Sequence, residues 1–313
     1  MNKLLEIKEV LKKLYSKQGL VFDAVLKFIF SLAAVLMINA NMGAMAVLKT
    51  PAAVVGISLV CALVPKNLMV LILAAVIVAH GYAFSMELAL FLAVVMFVMF
   101  LFYFRFSAGD GLVLILMPIL FSIKIPFLLP IALGLLTAPF SIVAAACGTI
   151  MYFIINEIHG NMDTLLNASS ADGLSNMFEI ANHVFTNQAL YLSVIVFSVT
   201  IVAVYVVRKL SVPYSWAIAI GVGTVIQMVI LLMSVNSFGL ADIFSVSSII
   251  IGNIISVILS LLLALVKHNV DYKCTESVQF EDDDYYYYVK AVPKVTSAKK
   301  KKKRIRREIQ RES

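Results

Sequence analysis

Residues Leu88–Phe104 read LALFLAVVMFVMFLFYF, an uncharged stretch that is apolar on every face at either a helical or a strand period. A helix of about 20 such residues crosses the hydrocarbon core of a bilayer, whereas a membrane β-strand alternates apolar and polar positions. Ser248–Val266, SIIIGNIISVILSLLLALV, has the same character. The sequence therefore predicts an all-α integral membrane protein. Of the 313 residues, 62% are hydrophobic and 14% charged, against about 45–50% and about 25% in soluble domains.

Six segments are long enough to span: about 21–40, 87–104, 139–156, 188–207, 214–233 and 246–266. Four shorter apolar runs, 52–64, 68–79, 112–122 and 125–137, form two pairs, broken at Pro65-Lys66-Asn67 and at Ile123-Lys124-Ile125-Pro126. Each pair either enters and leaves on one face, as a re-entrant element, or crosses twice. Residues 52–104 and 112–156 then look like one unit, a short pair plus a full span, in opposite orientations. This inverted-repeat pattern marks transporter sites at the bilayer midplane.

Three regions follow. Residues 1–20 form a basic amphipathic helix, with Leu4, Ile7, Leu11 and Leu14 on one face and five lysines on the others. Residues 21–266 form the membrane domain, and its loop 157–187 carries Glu157, Asp163, Asp172 and Glu179 but no Lys or Arg. Residues 267–313 form a polar tail. Lysines precede the first span, while Arg105, Arg208, Lys209 and Lys267 follow later ones. Excess Lys/Arg marks the cytoplasmic side, so both termini are expected in the cytoplasm of a protein of the plasma membrane. Ala44-Met45-Ala46 has the form of a cleavage site, but the polar residues before the first apolar run argue for an uncleaved chain.

Within 157–187, Leu174, Met177, Phe178, Ala181, Val184 and Phe185 share one helical face, which suits a helix resting on the membrane surface or capping the bundle. In the tail, Glu281-Asp282-Asp283-Asp284 and Tyr285–Tyr288 precede a basic cluster. Residues 285–292 have strand composition, and 279–295 could recruit a cytoplasmic protein. The cluster is Lys299, Lys300, Lys301, Lys302, Lys303, Arg304, Arg306 and Arg307 with Arg311; with Glu308 and Glu312, residues 299–313 carry the chain's whole net charge of +7. Near a bilayer its expected partner is anionic lipid headgroups, at about 1 kcal/mol per basic residue, rather than a specific nucleic acid.

Motifs for catalysis or cofactor binding are missing, so no enzyme, cofactor or metal is expected. Cys61, Cys147 and Cys274 imply no disulfide framework. The remaining signal is polar residues within apolar segments, which are costly in lipid and mark function. Lys66, Asn67 and Lys124, at the two breaks, are the candidate substrate-binding residues for an anionic solute. Gln227 and Asn253 lie inside spans, where hydrogen bonds to neighbouring helices are expected. Gly221 and Gly223 suit close helix approach. Asp23 and Lys27 are spaced for an ion pair, and Glu87 for a helix N-terminus. The expected function is a transporter or permease for a small solute. Its rival is a membrane scaffold whose tail recruits partners for envelope or assembly work.

The expected topology is testable by labelling. Cysteines placed at Ser170 and Ser237 should react with an impermeant maleimide outside sealed cells, and one at Ser211 should not. Labelling at Ser211 would overturn the orientation.

Overall fold

The computed structural model describes residues 2–167, 173–212, 214–238, 245–267, 276–281 and 286–291. Helices account for most of the described residues up to position 267. In order they are α1 (Asn2–Asn41), α2 (Ala46–Lys49), α3 (Pro51–Leu63), α4 (Lys66–Phe84), α5 (Met86–Phe106), α6 (Gly111–Ser122), α7 (Leu128–Leu136), α8 (Ser141–Gly160), α9 (Met162–Asn167), α10 (Gly173–Thr186), α11 (Gln188–Arg208), α12 (Ser215–Phe238) and α13 (Val246–Lys267). Seven of these (α1 from Gly19, α4, α5, α8, α11, α12 and α13) are long and apolar enough to cross a membrane. Their outward faces are greasy. On α5, Leu90, Val94, Phe97 and Leu101 are all more than half exposed, a continuous stripe that suits lipid rather than water. In α11, Ile195, Val199, Val202 and Val206 repeat the pattern. These are the features of a multi-pass helical membrane protein. In the tail, β1 (Glu276–Glu281) and β2 (Tyr286–Ala291) pair antiparallel with Val278 opposite Val289. The basic cluster 299–307 and Cys274 lie outside the described residues.

Two expectations change. Residues 2–18 are not a separate helix but continue without a break into the first span. The run 68–79 is the middle of the 19-residue α4. The apolar count stops at Ala79 because His80 is polar, yet His80 is fully buried with both ring nitrogens bonded. The Met45 N–H donates to Nδ1 at 3.2 Å, leaving Nε2–H to donate to Asn39 Oδ1 at 2.8 Å. With its polar atoms satisfied, the ring costs the helix little.

That contact marks one end of the bundle, where Asn39 also donates to Leu48 O at 2.9 Å. Asp23 marks the other. It pairs with Lys27 at 2.8 Å and Lys66 at 3.7 Å, while Lys27 donates to Val64 O at 3.2 Å. Helix α3 thus runs the length of the bundle from the His80 end to the Asp23 end, and α4 returns. The first short pair thus runs the length of the bundle in both directions.

The second pair behaves differently. Asp110, just before α6, has Oδ2 accepting from Ser107 Oγ at 2.9 Å and from Ser141 Oγ at 2.6 Å. Ser141 Oγ also lies 2.8 Å from Thr137 Oγ1, just past α7. The start of α6, the end of α7 and the start of α8 therefore meet at one point. Helices α6 and α7 form a hairpin whose base is at the end of the bundle where α5 finishes and α4 begins, since Tyr103 donates to Asn67 Oδ1 at 2.8 Å. Its turn reaches mid-length. Phe121 stacks on Tyr152, the twelfth residue of α8, at 4.4 Å and lies 5.8 Å from Phe197, the tenth of α11. Glycines allow the fit: a Cβ at Gly148 would meet Met117 at 2.6 Å, and one at Gly134 would meet Val204 at 2.6 Å. The units 52–104 and 112–156 accordingly share an order of segments but differ in depth.

Arg208, at the C-terminus of α11, donates to Leu135 O and, at 3.2 Å, to Thr137 O, the last carbonyls of α7. A cation at a helix C-terminus satisfies orphan carbonyls and opposes the dipole. Replacing Arg208 with Met removes both bonds and should cost about 1.5–3 kcal/mol, the range for hydrogen bonds to charged groups. Thermal unfolding in detergent should show the lower midpoint, with Lys209→Gln, which loses only a cation–π contact with Tyr205, as the milder comparison. An unchanged midpoint for Arg208→Met would remove the clamp from this account.

Candidate functional site

The turn between α6 and α7 is built as a helix C-cap. The Ile125 N–H bonds to Leu120 O at 2.8 Å and the Lys124 N–H to Phe121 O at 2.9 Å. This double closure is the Schellman arrangement, with Pro126 then preventing further helix. It demands a left-handed residue at the position of Lys124, whose φ is +61°. Glycine is the usual occupant, and another residue there costs on the order of 1–2 kcal/mol. Lys124 is exposed, as are its neighbours Ser122 and Ile123. A strained lysine thus stands at the turn of a hairpin that ends halfway along an apolar bundle.

Around the turn lie the polar residues of α12 and α13. Gln227, the thirteenth residue of α12, donates weakly to Phe127 O at 3.5 Å. On α13, Gly252 packs against the Phe127 ring and the Lys124 carbonyl, where a Cβ would sit at 2.8 and 3.0 Å. Asn253, beside it, donates to Ile249 O at 2.8 Å, and Ser256 to Gly252 O at 2.7 Å. Gln227, Asn253, Ser256 and Ser260 are all fully buried. Gln227 Oε1, Asn253 Oδ1 and Ser260 Oγ are the buried side-chain atoms without a hydrogen-bond partner among the described residues. All three sit on α12 and α13, both of which pack on α7.

The structure separates the candidate residues. Lys124 and Gln227 come together at the turn, with Asn253 one residue from its contact on α13. Lys66 and Asn67 do not join them. Lys66 pairs with Asp23 and Asn67 accepts from Tyr103, both at the Asp23 end. The break at Pro65 is a connection between two helices that run the length of the bundle, so its lysine sits at a helix end. Gly223 allows close approach of α12 to Val204, whereas Gly221 faces open space. Asp110 and Ser260 escaped the sequence reading. Asp110-Gly111 before an apolar run carried a helix-start signal, and Ser260 recurs seven residues after Asn253, on the same helical face.

Elsewhere, α10 covers the His80 end. Ile180 and Val184 are buried, while Leu174, Phe178 and Phe185 face outward. His183 Nδ1 lies 3.0 Å from Glu157 Oε1, and Glu87 abuts Gly173 at the start of α10. A groove of about 670 Å³ between α4 and α5, lined by Ala75, Ala79, Ala89, Ala93 and Phe97, is apolar apart from Tyr82 at its rim and offers nothing to hold a polar solute. No group of three His, Cys, Asp or Glu is placed to hold a metal among the described residues.

No protein-family model, curated protein or solved structure matches this chain.

Proposed function

We propose that the protein is a transporter of the plasma membrane for a small anionic solute, bound at the turn of the α6–α7 hairpin with Lys124 as its counter-charge. The observation that supports this most is the exposed, left-handed lysine at mid-depth. An ammonium group in hydrocarbon is costly, and a backbone strain that glycine would relieve is borne at the same position. Two penalties at one residue fit a functional side chain better than a structural one. Short broken helices that end near the midplane are the usual setting for transporter sites.

In this reading the Asp23 end, with Lys27, Lys66, Arg105, Arg208 and Lys209, faces the cytoplasm. Eight crossings, counting α3, place both termini there. The hairpin enters from the cytoplasm, and its turn looks toward the outer half of the membrane, beneath α10. The tail cluster 299–307 associates with anionic lipid. The scaffold reading rests on the β1–β2 hairpin and the basic cluster, which transport does not require.

The test separates the two. Lys124→Gly suits the left-handed backbone, so the purified variant should be as stable as the parent or more so, by about 1 kcal/mol. The parent's thermal midpoint should rise with phosphate, sulfate or short carboxylates in a panel, and the variant should lose that response by at least tenfold in concentration. In a deletion strain, Lys124→Gly should fail to complement while a truncation lacking 268–313 succeeds. Complementation by Lys124→Gly together with failure of the truncation would discard transport and support the scaffold.

A further inference from the structure

The buried oxygens of α12 and α13 pose a problem that the solute site does not solve. Asn253 is held by its amide nitrogen on Ile249 O, and Gln227 leans its own nitrogen on Phe127 O. Turning either amide over would set oxygen against carbonyl oxygen, so each Oδ1 or Oε1 stays directed away from the available protein donors. A buried acceptor left without a partner costs about 1–3 kcal/mol, and water is not at hand within hydrocarbon to supply one. Ser260 Oγ adds a third such atom on the same face of α13. Phe127 connects the set: Gln227 reaches its carbonyl, and Gly252, beside Asn253, reaches its ring.

We propose that the Gln227 and Asn253 side-chain oxygens form a binding site for a monovalent cation, sodium, between the turn of the hairpin and the α12–α13 pair, with Ser260, about two helical turns beyond Asn253, outside it. An amide oxygen can only accept, so its partner must be a donor or a positive charge. The four polar residues are fully buried, which excludes an organic solute. The donor set is all oxygen and neutral. Calcium favours carboxylates among six to eight oxygens, and magnesium holds its water shell and carboxylates; a neutral oxygen cage suits a singly charged ion. Backbone carbonyls at broken membrane helices serve in the same way, and the Lys124 carbonyl stands against Gly252. The assignment depends on the orphan oxygens and not on the solute reading. If both hold, the ion offsets the charge of an anion at Lys124, and the pair moves as a nearly neutral unit.

The test uses the full-length protein purified in detergent, with sodium, potassium or choline chloride at equal ionic strength. Sodium alone should raise the thermal midpoint, and radioactive sodium should be retained at equilibrium. Asn253→Leu and Gln227→Leu each remove an orphan oxygen for an apolar side chain. They should stay as stable as the parent in choline while sodium binding weakens at least tenfold. Asn253→Asp keeps an oxygen there and should bind sodium as tightly or more tightly, which covers a leucine variant that fails to fold. An identical midpoint in all three salts with no retained sodium would overturn the site and leave the oxygens to buried water. Leucine variants that bind sodium like the parent would overturn it as well. Because Lys124→Gly should leave the sodium response intact, failure of the solute site and failure of the ion site are separately visible.

Discussion

Inside a bilayer every backbone N–H and C=O must find a partner within the protein, and a helix that stops halfway exposes several of both. The α6–α7 hairpin is where this chain meets that constraint, and much of the surrounding architecture answers it. At the turn the Lys124 and Ile125 N–H groups close the last carbonyls of α6. At the base, Arg208 closes those of α7. Asp110 gathers hydroxyls from either side of the hairpin, so that the starts of α6 and α8 are tied together. The glycines at 134 and 148 bring α11 and α8 close enough for these contacts to form.

The sequence made some of this legible. Apolar runs without a polar face located the membrane helices, and the breaks at Lys66 and Lys124 drew notice to the right pairs of segments. Run length then failed to separate a short crossing from a hairpin. α3 runs the length of the bundle beside α1 with 13 residues, whereas α6 with 12 residues turns back. The difference lies in partners distant in sequence. α3 is flanked by two ties to α1, through Leu48 of the preceding α2 and through its own C-cap Val64, and α6 and α7 are tied at one end to each other. His80 shows the same limit, since its polarity ended the expected helix until Met45 and Asn39 were seen to satisfy it. At the site, Gln227 and Lys124 were legible as polar atoms in apolar surroundings. The separation of Lys66 from Lys124 was not, because only its Asp23 contact reveals that it sits at a helix end.

Stability and use pull apart at the turn. Most of the hairpin follows the rules of good helix construction, with proline after the cap and buried apolar side chains on α7. The exceptions cluster: a left-handed lysine, and amide and hydroxyl oxygens with no partner on the helices facing it. Local conflicts of this kind in an otherwise consistent fold are where function is expected. A protein selected only to hold a tail at the membrane would gain by glycine at 124 and by leucine at 227 and 253.

The long separation between Arg208 and the carbonyls it caps, 73 residues for Leu135, bears on how the chain is made. While α6 and α7 leave the ribosome, α11 does not yet exist, and neither short segment has the length by which an insertion machinery recognises a span. The hairpin at that stage has open carbonyls at its base and no wall for α7 to lean on. Those carbonyls can be capped by Arg208 only once α11 has been made. The contact that closes the base of the hairpin therefore becomes possible only after synthesis of the chain has added 73 further residues.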